Sequence, residues 1–229
     1  MEFYLSISSD IIPNELVPRS HTVGWLMGYA LFASFIALSV ARLAREGVFQ
    51  ALILANMKFK GVVSFVKEAM PLGKPSSLLL ILNYVLAAGV ICYFFYIQRF
   101  EEGEIGTGVV VFLLPLALLL WNVLCFVLTG WISGATHVFA GPIALKVIGA
   151  QLLGLIYFVL AIMWLFSTGQ ASLFGQLALF LFFVESFFRV VKSANLVLSQ
   201  GVSWYYLILY FCTLEILPLL MIYIVLTTV

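Results

Sequence analysis

Charge is what this chain has least of. Only 9% of its 229 residues are charged, against about 25% in an average soluble domain. With 64% hydrophobic residues, the sequence leaves no room for a sizeable soluble domain beside its apolar runs. Net charge is +1, so there is no electrostatic footprint for nucleic acid, and no nucleic-acid module is visible. Histidine is scarce too, with His21 near the start and His137 in mid-chain. The motifs HExxH and GxSxG and a Walker-type phosphate loop are missing, which removes the familiar metal, serine-nucleophile and nucleotide sites. Cys92, Cys125 and Cys212 all fall inside apolar runs with no CxxC or Cys/His cluster, so they read as buried, reduced thiols. No cofactor and no metal is expected. The N-terminus lacks the basic region of a signal peptide, and 23–41 is too long an apolar run for one, so it is read as a retained span. No internal repeat is evident, which counts against a transporter built from duplicated halves.

What the chain does have is long apolar runs. A bilayer core needs about 20 apolar residues per helix. Six stretches meet that requirement: 23–41, 76–97, 109–131, 147–167, 172–191 and 204–226. They are rich in Leu, Phe, Ile and Val without strand-like alternation, so the expected fold class is all-α. The expected organisation is a short outer tail, 1–22, followed by one six-helix membrane domain, 23–229.

Orientation follows from Lys and Arg. With the N-terminus outside, the cytoplasmic connections hold Arg42, Arg45, Lys58, Lys60, Lys67, Lys74, Lys146, Arg189 and Lys192, nine of the 11 basic residues. Only Arg19 and Arg99 remain outside, so both termini are expected on the non-cytoplasmic side. In that frame Trp25, Trp164 and Tyr223 fall near the outer interface, and Trp131, Trp204 and Tyr205 near the inner one.

The longest connection, 42–75, carries an apolar stripe. Val48, Leu52, Ala55, Phe59, Val62, Val66 and Ala69 recur at helical spacing, with Arg45, Asn56, Lys60 and Lys67 on other faces. A basic amphipathic helix of this kind is expected to lie in the plane of the cytoplasmic leaflet. Arg45, Lys58, Lys60 and Lys67 are its candidate contacts to anionic headgroups or to a partner protein. Pro71 and Pro75 break that helix, and Ser76 or Ser77 is placed to cap the next one. The connection 132–145 is nearly uncharged, is broken by Gly134, Gly141 and Pro142, and is expected to lie at the interface. Small residues four apart (Gly24/Gly28, Gly130/Gly134, Ala150/Gly154) mark places where helices can approach closely.

Polar groups within the apolar runs are the candidate sites. Glu185 and Arg189 stand four apart with the acid first, the favourable order for a helical pair. Glu215 sits at the centre of 204–226 with Phe211, Cys212, Pro218 and Leu219 as its helical neighbours. A charged carboxylate there costs about 3 kcal/mol or more in lipid, so it must be protonated, paired or turned inward. Arg189, Asn83, Asn122, Gln151 and His137 are the candidate partners. Pro218 removes a backbone donor and bends the helix beside it.

The stretch from Ser203 to Leu219 contains Tyr206, Tyr210, Cys212, Glu215 and Pro218 in one register. This ending resembles that of an uncharacterised multi-span inner-membrane family of Bacteroidota, domain-of-unknown-function family 4271, whose closing signature reads tyrosine, three residues, tyrosine, then a small residue or cysteine shortly before Leu-Glu-Ile-x-Pro-Leu. Residues 193–201 fit as the short loop entering the last helix. The resemblance implies the inner membrane of a Gram-negative bacterium and marks the Glu-x-x-Pro helix, but implies no activity. Three readings are carried forward. The first is a non-enzymatic accessory or scaffold subunit of a larger envelope assembly, for protein secretion or membrane insertion, with other membrane subunits and anionic lipid as partners. The second is a small proton-coupled transporter or channel using Glu215, with Glu185, Arg189, Asn122 and Gln151 lining the route. The third is an intramembrane enzyme acting on lipid.

Overall fold

The structure is a computed structural model that describes residues 21–57, 73–99, 105–132, 134, 136–166 and 171–198. Every element among them is a helix: α1 (His21–Ala44), α2 (Val48–Met57), α3 (Pro75–Arg99), α4 (Ile105–Ile132), α5 (Thr136–Phe166) and α6 (Ala171–Leu198). All but α2 are long and apolar enough to cross a membrane. These five correspond to the first five apolar runs, extended at their ends because a helix need not stop where the hydrocarbon does. The run 204–226, the basic positions Lys58, Lys60 and Lys67, and the set Tyr206, Tyr210, Cys212, Glu215 and Pro218 lie outside the described residues.

Helices α3 and α5 form the centre. Half of the α3 span (50%) and 61% of the α5 span are buried, against 28%, 22% and 17% for α1, α4 and α6, which pack around them. The two central helices meet closely at Gly154, where an added Cβ would stand 2.7 Å from Tyr84 Cα. One core cluster joins Met27, Leu31, Ala87, Val90, Leu153, Leu160 and Trp164. Trp164 is 2% exposed, stacks on Phe94 at 4.9 Å between ring centroids and meets Phe95 edge-on at 5.4 Å. It therefore points into the bundle rather than out from it. Its hydrophobic area and ring geometry are used on two aromatic neighbours. Trp25 and Trp131, by contrast, are exposed.

Two connections take definite form. The uncharged stretch after α4 is largely helical, with α4 ending at Ile132 and α5 beginning at Thr136. Gly134 turns the chain with φ +66, a left-handed conformation natural to glycine. Helix α5 then starts at Thr136 and runs straight through Pro142. Proline this close to the start of a helix leaves only one backbone acceptor without its usual donor.

In the connection after α1, the first half of the apolar stripe is used on protein. Val48, Leu52 and Ala55 of α2 are all at most 1% exposed and form a second core cluster with Ala41, Leu80, Ala144, Leu145 and Ile148. Helical spacing identifies an apolar face but does not say what covers it. Here α1, α3 and α5 cover it. Pro75 opens α3 as the first helical residue, while the backbone N–H groups of Ser77 and Leu78 bond Lys74 O. Neither Ser76 nor Ser77 is the residue preceding the helix, so neither occupies the capping position; both are buried.

Candidate functional site

Three buried polar ties cross the bundle. Ser34 Oγ of α1 donates to Asn83 Oδ1 of α3 at 2.5 Å. Gln151 Nε2 of α5 donates to both Ser77 O (3.1 Å) and Ser77 Oγ (2.7 Å) of α3. Tyr157 Oη of α5 donates to Ala178 O of α6 at 3.2 Å. Each brings a polar side chain into an apolar interior together with an acceptor on another helix. Such interhelical contacts average about 0.6 kcal/mol in membranes. Gln151 is thereby placed as a fastener between α5 and the start of α3.

The charged residues gather on α6. Arg189 Nη1 donates to Glu185 Oε2 at 2.6 Å, with the two side chains 8% and 12% exposed. Arg189 Nη2 donates to Ser186 Oγ at 3.2 Å. One turn further along, Lys192 donates to the main-chain oxygen of Asn56 in α2. The expected helical pair thus forms, and the end of α6 is tied to the short helix. At 1.5 Å per residue, Glu185 stands about 20 Å from either end of α6. What makes room for its carboxyl on α5 is Gly149. A methyl group there would overlap Glu185 Oε1 and would come within 3.7 Å of Arg189 Nη1.

Arg189 lies between two cavities. The larger, about 210 Å³, runs between α5 and α6 and is lined by both partners of the ion pair, by Lys192 and Asn56, and otherwise by apolar side chains. The smaller, about 60 Å³, has Asn122, Tyr84, Lys146 and Ser186 around it together with Arg189. Asn122 Nδ2 bonds back to Leu118 O at 2.7 Å, while its buried Oδ1 has no hydrogen-bond partner among the described residues. Glu185, Arg189 and Asn122 are therefore brought to one neighbourhood and Gln151 is kept apart. Arg45 stands half-buried in the turn after α1. No group of His, Cys, Asp and Glu suited to a metal occurs among the described residues.

Comparison with protein families decides the chain's affiliation. The family described as domain of unknown function (DUF4271) matches residues 27–226. The chain belongs to that family. The DUF4271 match takes in most of α1, all of α2 to α6 and the closing Glu-x-x-Pro stretch, so the resemblance first visible at the C-terminal end extends over nearly the whole chain. One detail of that resemblance changes: residues 193–198 of this DUF4271 chain belong to α6 and not to a loop. Comparison with curated proteins and with solved structures returned no match.

Sequence reasoning missed Gly149, Tyr84 and the main chain of Asn56 as parts of this neighbourhood. Gly149 carried no signal beyond being one of 17 glycines. Asn56 was visible only as a polar residue off the apolar stripe, and it acts through its carbonyl, which every residue has.

Proposed function

We propose that this chain is a non-enzymatic, six-span subunit of a bacterial inner membrane, from Bacteroidota, serving as an accessory or scaffold in a larger envelope assembly for protein secretion or membrane insertion. In this reading 204–226 is the sixth span, both termini are periplasmic, and the basic end of the bundle faces the cytoplasm. The observation that carries it is how the interior polarity is used. Ser34, Asn83, Gln151, Ser77 and Tyr157 are engaged in ties between helices. The Trp164–Phe94–Phe95 stack fills the interior at the other end of α5 and α6. A bundle whose polar groups fasten its own helices is suited to holding a shape that other subunits read. Crosslinking in native membranes followed by purification in mild detergent tests this: discrete higher-mass species containing other membrane proteins are expected. A monodisperse lone monomer, with nothing crosslinked to it, overturns the reading.

The second reading, proton-coupled transport, is favoured by the ion pair at mid-helix beside the larger cavity. There Glu215 carries the proton and Glu185 and Arg189 line the route. Proteoliposomes holding the purified chain and a trapped pH dye distinguish the two. Proton flux that is lost in Glu215→Gln, with folding retained, supports transport; absence of flux in the parent chain removes it.

A further inference from the structure

The larger cavity has a shape that the ion pair alone does not account for. Along α5 its lining runs from Leu145 to Ile156, and along antiparallel α6 from Lys192 to Leu181. Each run covers 12 residues, and its 11 steps of 1.5 Å span about 16 Å. That is the depth of one leaflet, half of a hydrocarbon core about 30 Å thick. Leu145, Leu152, Ile156, Leu181, Val184 and Phe188 form the walls. Away from its charged residues the groove is walled by these apolar side chains, and between two membrane-spanning helices such walls suit an acyl chain.

Charge is arranged along the same groove in one direction. Lys192 lies at the Leu145 end, Arg189 about one turn deeper, and Glu185 about one turn deeper again. Two cations and one carboxylate give the described lining a charge of +1, concentrated where the groove reaches the ends of α2 and α6. That end also carries Arg42, Arg45 and Lys146, the side on which anionic headgroups are attracted. Basic pockets between spans on that side are suited to phosphate headgroups.

We propose that the α5–α6 groove is a binding site for an anionic glycerophospholipid, one acyl chain lying against Leu152, Ile156 and Leu181 and the phosphate held at Lys192 and Arg189. The site depends on these helices spanning a membrane and is independent of the accessory role. Lys192, through Asn56, would also link the lipid to α2.

Native mass spectrometry of the purified, delipidated full chain tests the site. The probes are phosphatidylglycerol, phosphatidylcholine with the same acyl chains, and glycerol 3-phosphate. Phosphatidylglycerol is expected to be retained over phosphatidylcholine by roughly fivefold for each cation engaged, and glycerol 3-phosphate to give no adduct. Lys192→Gln is expected to lower that selectivity and Lys192→Arg to keep it. Ile156→Trp, which fills the groove without touching a charge, is expected to lower retention of both lipids. Equal retention of the two lipids by the parent chain overturns the proposal, as does binding of glycerol 3-phosphate as strong as that of the whole lipid. Selectivity unchanged in Lys192→Gln, or retention unchanged in Ile156→Trp, does so too. Should Lys192→Gln fail to fold, Lys192→Arg and Ile156→Trp still decide the matter.

Discussion

Replacing Gly154 by alanine isolates the contact between the two central helices. The new methyl group would stand 2.7 Å from Tyr84 Cα and 2.9 Å from both its Cβ and its backbone N. Ordinary carbon contacts lie at about 3.5–4.0 Å, so α3 and α5 must separate by about 1 Å. The obstructing atoms are mainly backbone and cannot swing aside. Overpacking of this kind costs about 1–3 kcal/mol. Alanine is also the better helix former, by about 1 kcal/mol, which offsets part of the loss. Gly28 supplies the internal control: it is helical, and a Cβ there meets nothing within 4 Å. Because both variants share the propensity term, the difference between them reports the overlap alone. Gly154→Ala is expected to melt about 2–12 °C below Gly28→Ala, taking about 2–4 °C per kcal/mol for a chain of this size. The assay is intrinsic tryptophan fluorescence of the purified chain in detergent during a temperature ramp. If Gly154→Ala melts at or above Gly28→Ala, the close approach of α3 and α5 at this point is wrong.

Removing only Arg189, as Arg189→Met, leaves Glu185 buried beside Gly149 and is expected to cost about 3–5 kcal/mol. The double replacement Glu185→Leu with Arg189→Met is expected to recover most of that, as measured by chemical unfolding in detergent. A double variant less stable than the single would refute the pairing. Gly149→Ala pushes the Glu185 carboxyl off α5, so its destabilisation should largely vanish in a Glu185→Leu background. Gln151→Leu forfeits both bonds to Ser77 and is expected to lose about 0.6–1.7 kcal/mol; the same loss in a Ser77→Ala background, which keeps the carbonyl acceptor, would show that the bond to the hydroxyl is absent. Trp164→Ala opens a void between α3 and α5 and is expected to cost about 3–5 kcal/mol, with loss of the near-ultraviolet circular dichroism from the stacked rings. A stable variant with unchanged dichroism would place Trp164 outside the core.

Most of the architecture was legible because lipid asks a spanning helix to be predominantly apolar over about 20 residues, and five helices long and apolar enough to cross a membrane are present among the described residues. The ends were less legible. Pro142 and Gly141 read as breakers, yet both are buried inside the start of α5; local punctuation lost to packing. The three pairs of small residues show the limit most clearly. Gly154 faces a neighbouring helix closely, Gly28 faces open space, and Gly134 serves a turn. Identical spacing thus covers three different physical situations. Within the candidate site, the Glu185–Arg189 pair follows from spacing on one helix. Its neighbours come from α2, α4 and α5, and no single-helix pattern encodes which of them arrives. Gln151 illustrates the same point, since its polarity announced an interior position and only the fold supplied Ser77.

The docking of α2 has a bearing on how the chain is made. Val48, Leu52 and Ala55 rest on Ala144, Leu145 and Ile148, which leave the ribosome about 90–100 residues later. At about 5–20 residues per second, that is a wait of roughly 5–20 s. During that interval α2 has only the surfaces of α1 and α3 to rest on, and its remaining apolar side chains are open to lipid or to the insertion machinery. The apolar contacts of α2 are completed only when α5 arrives, and Lys192 of α6 adds its bond to the Asn56 carbonyl after that, so the short helix is fastened in two stages.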